Sequence, residues 1–282
     1  MANKVKIAVL IRVYDRIEDL KYNLKIIADT WTENEYYVIV VSNGKLKGYD
    51  IDKSLDSYID KLVILENNEG HLKGNSQLLR EGVKFIPSDC CFTLILEADT
   101  WLYGDSLISK YVAILVESDV VWASADWYDK YIAVATDFAV IKTEYILSNP
   151  KLFIFGLYPE CTISNYMRDH GDRSIWITEN MPVHVPSYML KFPYVHNDER
   201  RFYAFPESKM VTHHIEHLRR GMQQKKEYFN ILAQTDYFQD AIVKNKSWRL
   251  FKIKFWIKLS GLLLKRSWYS KKHYKNLDNV ND

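Results

Sequence analysis

Two carboxylates stand one residue apart at the end of a short apolar run in the first half of the chain. The run covers residues 92–96, and Glu97 and Asp99 follow it. A run of this length with aromatic and β-branched residues predicts a strand that is buried on both faces of a parallel sheet. Residues two apart in a strand point the same way, so both carboxylates are able to face one site. Hard oxygen ligands side by side suit Mg²⁺ or Mn²⁺, particularly an ion already held by phosphate oxygens.

The elements around this run predict an α/β sheet. Three further apolar runs of strand length precede it, at 5–11, 36–41 and 62–65. Apolar residues at helical spacing follow Asp15, which is placed to cap that helix, and a second helix is predicted over about 72–85. This alternation predicts a parallel, doubly wound sheet, in which ligands bind at the carboxyl ends of the strands. Acidic residues are also common at solvated strand ends, so the residue types of Glu97 and Asp99 alone do not indicate a site. Their position at the carboxyl end of a strand in a parallel sheet is what favours one.

The glycine-rich loops that cradle phosphates in dehydrogenases and in P-loop proteins are absent from the sequence. A dehydrogenase places Gly-x-Gly-x-x-Gly after its first strand, whereas residues 12–16 here are Arg-Val-Tyr-Asp-Arg and contain no glycine. The sequence also has no P-loop. A metal ion at Asp99 is the obvious substitute for a glycine-rich phosphate loop.

Four short motifs follow one another along residues 5–105. Arg-Val-Tyr-Asp-Arg at 12–16 stands where one family of enzymes has Pro-Thr-Tyr-Asn-Arg, and Val-Ser-Asn-Gly-Lys at 41–45 where it has Val-Asp-Asp-Gly-Ser. The segment 67–75 resembles that family's Asn-x-Gly loop, and 97–99 its Asp-x-Asp metal motif. The chain thus resembles GT-A glycosyltransferases, and glycosyltransferase family 2 in particular. The resemblance implies an α/β fold with a Rossmann-like nucleotide-binding half and a mixed central sheet.

The resemblance also implies a set of binding residues. It implies that the nucleotide-sugar is bound by Arg12, Tyr14, Asn43, Asn68, Lys73 and Glu97. It implies metal ligation by Asp99 first, then Glu97, and by one of His213 and His214, although those histidines suit the start of a helix equally well. Two departures from the family are visible, since Asn43 replaces a base-reading Asp and Glu97 replaces the first Asp of the metal motif.

Acidic residues in the second half are candidates for a general base. A helix is predicted over 105–117, a strand over 120–124, and strand-rich sequence over 131–141. The resemblance implies that an acidic residue opening a later helix deprotonates the acceptor hydroxyl, and Glu160 stands there. A glutamate at a helix start is equally explained as a capping residue that favours the helix dipole. Asp137 is the second candidate for the base, and Asp126 or Asp129 the third.

A basic, aromatic tail ends the chain. The whole chain has 38 Lys or Arg and 36 Asp or Glu, a net charge of +2. Residues 244–282 hold 11 of the basic residues and 2 of the acidic ones, which leaves 27 against 34 and a net charge of −7 for 1–243. Trp and Leu flanked by Lys and Arg predict a helix lying on anionic lipid, although 250–259 also alternates as a strand does. Nucleic acid is the other ligand of such a segment, and the acidic body and the lack of a nucleic-acid motif argue against it.

We therefore expect a GT-A domain over 1–243, with a nucleotide-sugar-binding half at 1–104 and an acceptor-binding half at 105–243, and a membrane-associating tail at 244–282. The expected activity is metal-dependent, inverting transfer of a sugar from a UDP-linked donor to a hydroxyl of a cell-surface glycan on a lipid carrier. The alternatives are a nucleotidyltransferase that makes nucleotide sugars and a non-catalytic membrane-bound scaffold. Three cysteines without metal spacing and no signal-peptide pattern predict a cytoplasmic protein at the cytoplasmic face of the membrane.

Overall fold

The computed structural model describes residues 4–43, 50–67, 69–126, 134–156, 159–177, 203–205, 208–212, 218 and 220–234. Several residues singled out in the sequence lie outside these ranges, namely Asn68, Asp129, His213, His214 and the whole tail at 244–282.

Helices and strands alternate through the first half and mix more freely in the second. The first half contains β1 (Lys6–Val13), α1 (Ile17–Thr30), β2 (Glu35–Ser42), a 3-10 helix (Lys53–Tyr58), β3 (Lys61–Ile64), α2 (His71–Val83), β4 (Phe92–Glu97) and β5 (Trp101–Leu102). The second half contains α3 (Ser106–Glu117), β6 (Val120–Asp126), β7 (Val134–Lys142), α4 (Thr143–Ser148), α5 (Pro159–His170), β8 (Arg173–Trp176), β9 (Tyr203–Phe205), β10 (Met210–Thr212) and α6 (Gly221–Gln234).

The central sheet has seven strands in the order β3-β2-β1-β4-β7-β6-β8. The first four are parallel, β7 runs antiparallel to both β4 and β6, and β8 is parallel to β6. A parallel half continued by an antiparallel strand is the mixed α/β sheet that the sequence predicted, so the predicted fold class is confirmed for the central sheet. Strands β5, β10 and β9 form a small separate sheet beside it.

The register brings the candidate residues to one edge of the sheet. Arg12 on β1 lies opposite Glu97 on β4, and Asn43 follows the last residue of β2. Strand β7 runs the other way, so the residues near its beginning reach the same edge, and the pairing of Leu96 with Phe138 places Asp137 beside Glu97. Parallel strands and one antiparallel strand therefore supply polar side chains to a single edge.

Two apolar layers hold this sheet in place. Strand β1 is buried on both faces, because Ile7, Val9 and Ile11 pack in one core cluster and Ala8 and Leu10 in the other. Helices α1 and α3 cover the first face, and α2 and α5 cover the second. Helix α2 approaches so closely that a Cβ on Gly82 would lie 2.2 Å from a methyl carbon of Leu10. Only a residue without a side chain fits there.

The predicted cap of the first helix is wrong. Helix α1 begins at Ile17, so its N-cap position falls on Arg16, and no side chain caps it. Asp15 lies one residue too early and is exposed. Among the helices in the described ranges, none is both long enough and apolar enough to cross a bilayer.

Candidate active site

A buried arginine joins three strands at the carboxyl edge of the sheet. Arg12 is 4% exposed, and its guanidinium forms an ion pair with the carboxylate of Glu97 on the neighbouring strand. The same guanidinium donates to the backbone carbonyl oxygen of Thr136 on β7, at 2.5 Å. Arg12 was predicted to bind the donor, and the structure places it as an internal partner of the first carboxylate of the motif.

Asp99 lies in a short, tightly held loop beyond β4. The residue is 6% exposed. The side-chain amide of Asn23 on α1 donates to three backbone carbonyls of this loop, at 3.3, 3.3 and 2.9 Å, those of Glu97, Ala98 and Thr100. The backbone from which the Asp99 side chain extends is therefore held by α1.

Glu160 is connected to this edge through one hydroxyl. It lies in the first turn of α5, and the Thr136 hydroxyl donates to its Oε1 at 3.1 Å. Burial raises the pKa of Glu160, and the hydrogen bonds from its own backbone amide and from Thr136 oppose that shift. Because the Thr136 carbonyl also accepts from Arg12, a chain of contacts connects Glu160 with Glu97.

Asp137 is a second carboxyl at the edge, but it is deeply buried. Its Oδ1 accepts from the backbone N–H of Phe138 at 3.0 Å, and its Oδ2 from the Thr212 hydroxyl at 3.4 Å. Burial raises the pKa of Asp137 to about 8, and the negative charges of Glu97 and Asp99 act in the same direction. The neutral form of Asp137 therefore predominates at pH 7, whereas a general base has to be ionised.

The remaining predicted donor-binding residues lie at different depths. Asn43 is fully buried at the end of β2, and neither polar atom of its side chain has a hydrogen-bond partner among the residues described. Leaving a buried amide unsatisfied is costly, so a ligand edge at Asn43 would remove a penalty. Tyr14 is half-buried and Lys73 on α2 is exposed. The positions of Asn68, His213 and His214 are outside the described ranges.

The carboxyl edge fits a divalent ion that is held largely by phosphate and water. Within the described ranges, no group of three or more His, Cys, Asp or Glu side chains is arranged to hold a metal ion. Mg²⁺ is commonly bound through one or two carboxylates together with substrate phosphates, which needs no larger protein cage. Glu97 and Asp99 each raise the pKa of Asp137, so negative charge accumulates here and a cation would relieve it. Of the two carboxylates of the motif, Glu97 is paired with the guanidinium of Arg12, whose charge offsets its own.

Three residues that build this edge were missed in the sequence. Asp19 and Asn23 lie in the buried stripe of α1 among leucines and isoleucines, and two polar residues four positions apart in an apolar stripe are a signal that was available. Lys225 on α6 contacts the same loop from the other side. Nothing in the sequence distinguishes it from its neighbour Lys226.

No family model matches the chain, and no curated protein matches it either. Solved structures do resemble its fold. The mannosyltransferase PcManGT from Pyrobaculum calidifontis, in complex with GDP-Man and Mn²⁺, aligns with a TM-score of 0.49 and 13% identity over 61% of this chain and 55% of its own. S. aureus TarS 1-349 aligns with a TM-score of 0.43 and 13% identity over 57% and 54%. This chain thus spans about half the length of each of these two proteins.

A nucleotidyltransferase-type structure is also among the matches. The 4-diphosphocytidyl-2C-methyl-D-erythritol synthase from Anaerococcus prevotii aligns with a TM-score of 0.44 and 12% identity, over 62% of this chain and 86% of its own.

Proposed function

We propose that this chain is a metal-dependent glycosyltransferase of the GT-A type, which transfers a sugar from a UDP-linked donor to a hydroxyl group with inversion. One observation carries the proposal: at the carboxyl edge of the sheet, the contacts of Arg12 and Thr136 connect Glu160 with Glu97, the first carboxylate of the motif that ends in Asp99. A phosphate-bound cation and a proton acceptor at one edge are the two groups that sugar transfer from a nucleotide diphosphate requires.

Asp99 would hold a divalent ion, Mn²⁺ or Mg²⁺, at the site of the donor diphosphate. The cation, when bound, supplies positive charge to the diphosphate that leaves the sugar. The protein contributes a carboxylate on a loop whose backbone is held by the bonds from Asn23. Asn43 is assigned to binding of the uracil nucleobase, because its buried amide offers both a donor and an acceptor to the edge of a pyrimidine.

Glu160 takes the proton of the acceptor hydroxyl. An alcohol is a poor nucleophile until its proton leaves, and a positioned carboxylate provides the place for it. Glu160 is more exposed than Asp137, so an acceptor reaches it more easily. The hydrogen bond from Thr136 holds Oε1 of this carboxylate in place.

The acceptor is proposed to be a growing cell-surface glycan on a lipid carrier, at the cytoplasmic face of the membrane. The composition of residues 244–282 supports this, because 11 basic residues among tryptophans and leucines suit an anionic lipid surface. An enzyme that acts on a lipid-linked acceptor has to reach the membrane surface. Its net-negative body would be repelled by anionic lipid, and the basic segment would provide the attraction.

Calorimetric titration with UDP tests the donor site directly. We expect UDP to bind more tightly in the presence of Mn²⁺ than in EDTA, and Asp99→Asn to remove the difference. Asp89→Asn is a matched control, because Asp89 precedes β4 as Asp99 follows it, and its exposed carboxylate pairs with Lys6 at the opposite edge. UDP binding that is equal in Mn²⁺ and in EDTA would reject the metal-dependent donor site.

A further inference from the structure

A fully buried lysine contacts the loop that carries Asp99. Lys225 on α6 is 0% exposed, and its ammonium group donates to the backbone carbonyl oxygen of Asp99 at 2.5 Å. It also donates to Oδ1 of Asp19 on α1 at 2.6 Å, and lies 4.2 Å from the ring centroid of Trp101. One ammonium group therefore connects α6, α1 and the Asp99 loop.

Lys225 completes a set of bonds that Asn23 begins. Asn23 binds the carbonyls on both sides of Asp99, and Lys225 binds the carbonyl of Asp99 itself. Four consecutive backbone carbonyls are thus held, those of residues 97, 98, 99 and 100. Because each peptide unit is planar, holding these carbonyls restricts the backbone dihedrals of Asp99 and with them the direction of its Cα–Cβ bond.

We infer that Lys225 is a positioning residue for Asp99, and that it acts by fixing the backbone from which this carboxylate reaches the cation. The inference rests on the proposed metal-dependent donor site. Residues that hold a metal ligand in position strongly influence the affinity for the metal, although they do not contact the ion themselves. Lys225 would thereby make the affinity for the cation depend on the packing of α6 against α1.

The energetics of the pair indicate that stability alone does not account for it. Asp19 is 1% exposed, and burial raises its pKa while the charge of Lys225 lowers it. Removing two charges from water costs several kcal/mol per ion by the usual estimates, and apolar residues of similar size are often as stable or more so. We therefore explain the buried pair of Lys225 and Asp19 by the backbone geometry that Lys225 imposes on the Asp99 loop.

The next residue provides a matched control. Lys226 also connects α6 with α1, because its ammonium group lies 3.1 Å from a carboxylate oxygen of Glu18 and 5.2 Å from the ring centroid of Tyr22. The side chains of this pair are 35% and 63% exposed, and the pair lies on the surface. Lys226→Met therefore removes an ion pair between the same two helices and leaves the Asp99 loop untouched.

The test measures Mn²⁺ binding by electron paramagnetic resonance in the presence of saturating UDP, on the full-length chain. Three variants are compared with the wild type: Lys225→Met, the double variant Asp19→Asn with Lys225→Met, and Lys226→Met. Thermal unfolding is recorded for each. Lys225→Met alone leaves Asp19 buried without its cation, which destabilises the fold strongly, whereas the double variant removes both charges together.

We expect the dissociation constant for Mn²⁺ to rise roughly tenfold or more in both variants that lack Lys225. The double variant should regain most of the thermal stability that Lys225→Met loses, yet keep the weakened Mn²⁺ binding, because the Asp99 carbonyl still lacks its donor. Lys226→Met should bind Mn²⁺ as the wild type does. A double variant that binds Mn²⁺ within about twofold of the wild type would reduce Lys225 to a purely structural role.

Asp99→Asn distinguishes failure of this inference from failure of the proposed function. If Asp99→Asn weakens Mn²⁺ binding and the double variant does not, the donor site stands and Lys225 is not a positioning residue. If Asp99→Asn leaves Mn²⁺ binding unchanged, the metal site itself is wrongly assigned and both proposals fail.

Discussion

Arg12 and Glu97 lie directly opposite one another on adjacent parallel strands, and their side chains form an ion pair where those strands end. The pair gives the two carboxylates of the Glu-Ala-Asp motif different surroundings. Glu97 faces a fixed positive charge, whereas Asp99 lies on a loop that is held through its backbone. We therefore assign the larger part in binding the cation to Asp99.

Neutralising each carboxylate in turn tests this assignment. Glu97→Gln keeps an oxygen for Arg12 but leaves a buried guanidinium without its counter-charge. Removing one partner of a fully buried ion pair lowers the free energy of unfolding by about 3–5 kcal/mol. We expect a smaller loss for Glu97→Gln, because Glu97 is partly exposed. Its effect on Mn²⁺-dependent UDP binding should be smaller than that of Asp99→Asn. Calorimetry and thermal unfolding on both variants check this, and the reverse order of effects would move the metal to Glu97.

Replacing Glu160 by Gln keeps its shape and removes its basicity. Binding of UDP and Mn²⁺ should survive, while the rate of sugar transfer should fall by roughly 10²–10⁴. In the wild type, burial raises the pKa of Glu160 above its ordinary value, so the rate should increase as pH rises through that pKa. The variant should lose this acidic limb of the pH–rate profile. Near-normal transfer in Glu160→Gln would show that Glu160 is not the base.

Asp137 should make the protein less stable as the pH rises. Its pKa is about 8 in the folded chain, and an unfolded Asp titrates near 3.9. Between about pH 4 and pH 8 the native state therefore binds more protons than the unfolded state, and the free energy of unfolding falls by up to about 1.4 kcal/mol per pH unit. Urea unfolding at several pH values in EDTA measures this slope.

Asp137→Asn should reduce that slope. Part of the pH dependence should remain, because the pKa values of Asp19 and Glu160 are also raised. Asp52→Asn serves as a control, because hydrogen bonds from Ser54 lower the pKa of this exposed carboxylate. That control should leave the slope between pH 6 and pH 8 unchanged. A slope in Asp137→Asn equal to that of the wild type would show that Asp137 is ionised at neutral pH.

Removing residues 244–282 tests the proposed membrane contact. The remaining chain has a net charge of −7 and should no longer sediment with phosphatidylglycerol vesicles. Each basic residue near such a surface contributes about 1 kcal/mol, so raised salt should also release the full-length chain. Transfer to a short soluble acceptor should persist while transfer to a lipid-linked one falls. A truncated, folded chain that still binds these vesicles would show that the tail is not the anchor.

The parallel half of the fold was predictable because its strands are buried on both faces. Continuous apolar runs then mark each strand without ambiguity, and the predicted strand at 92–96 differs from β4 by one residue. The start of α1 was harder, since a cap depends on where the preceding strand ends. Strand β1 continues to Val13, beyond the predicted Ile11, and the helix begins too late for Asp15 to cap it.

Residues at the ends of strands could be predicted as site candidates, whereas contacts between distant segments could not. Asp99 was predicted from its residue type and its position after a strand, and Glu160 from the family resemblance; the roles of both stay predictions. The pairing of Arg12 with Glu97 depends on strand register, which the sequence of either strand does not reveal. The contact of Lys225 with Asp99 joins residues 126 positions apart, through a helix that no local pattern connects with the sheet.

The release of nucleoside diphosphate from a panel of UDP-, GDP-, CDP- and dTDP-linked sugars, with a mixed glycan acceptor pool, tests the central claim most directly. We expect at least one UDP-linked sugar to be turned over in Mn²⁺, with activity lost in EDTA and in Asp99→Asn and retained in Asp89→Asn. Turnover that continues undiminished in EDTA and in Asp99→Asn would contradict the account.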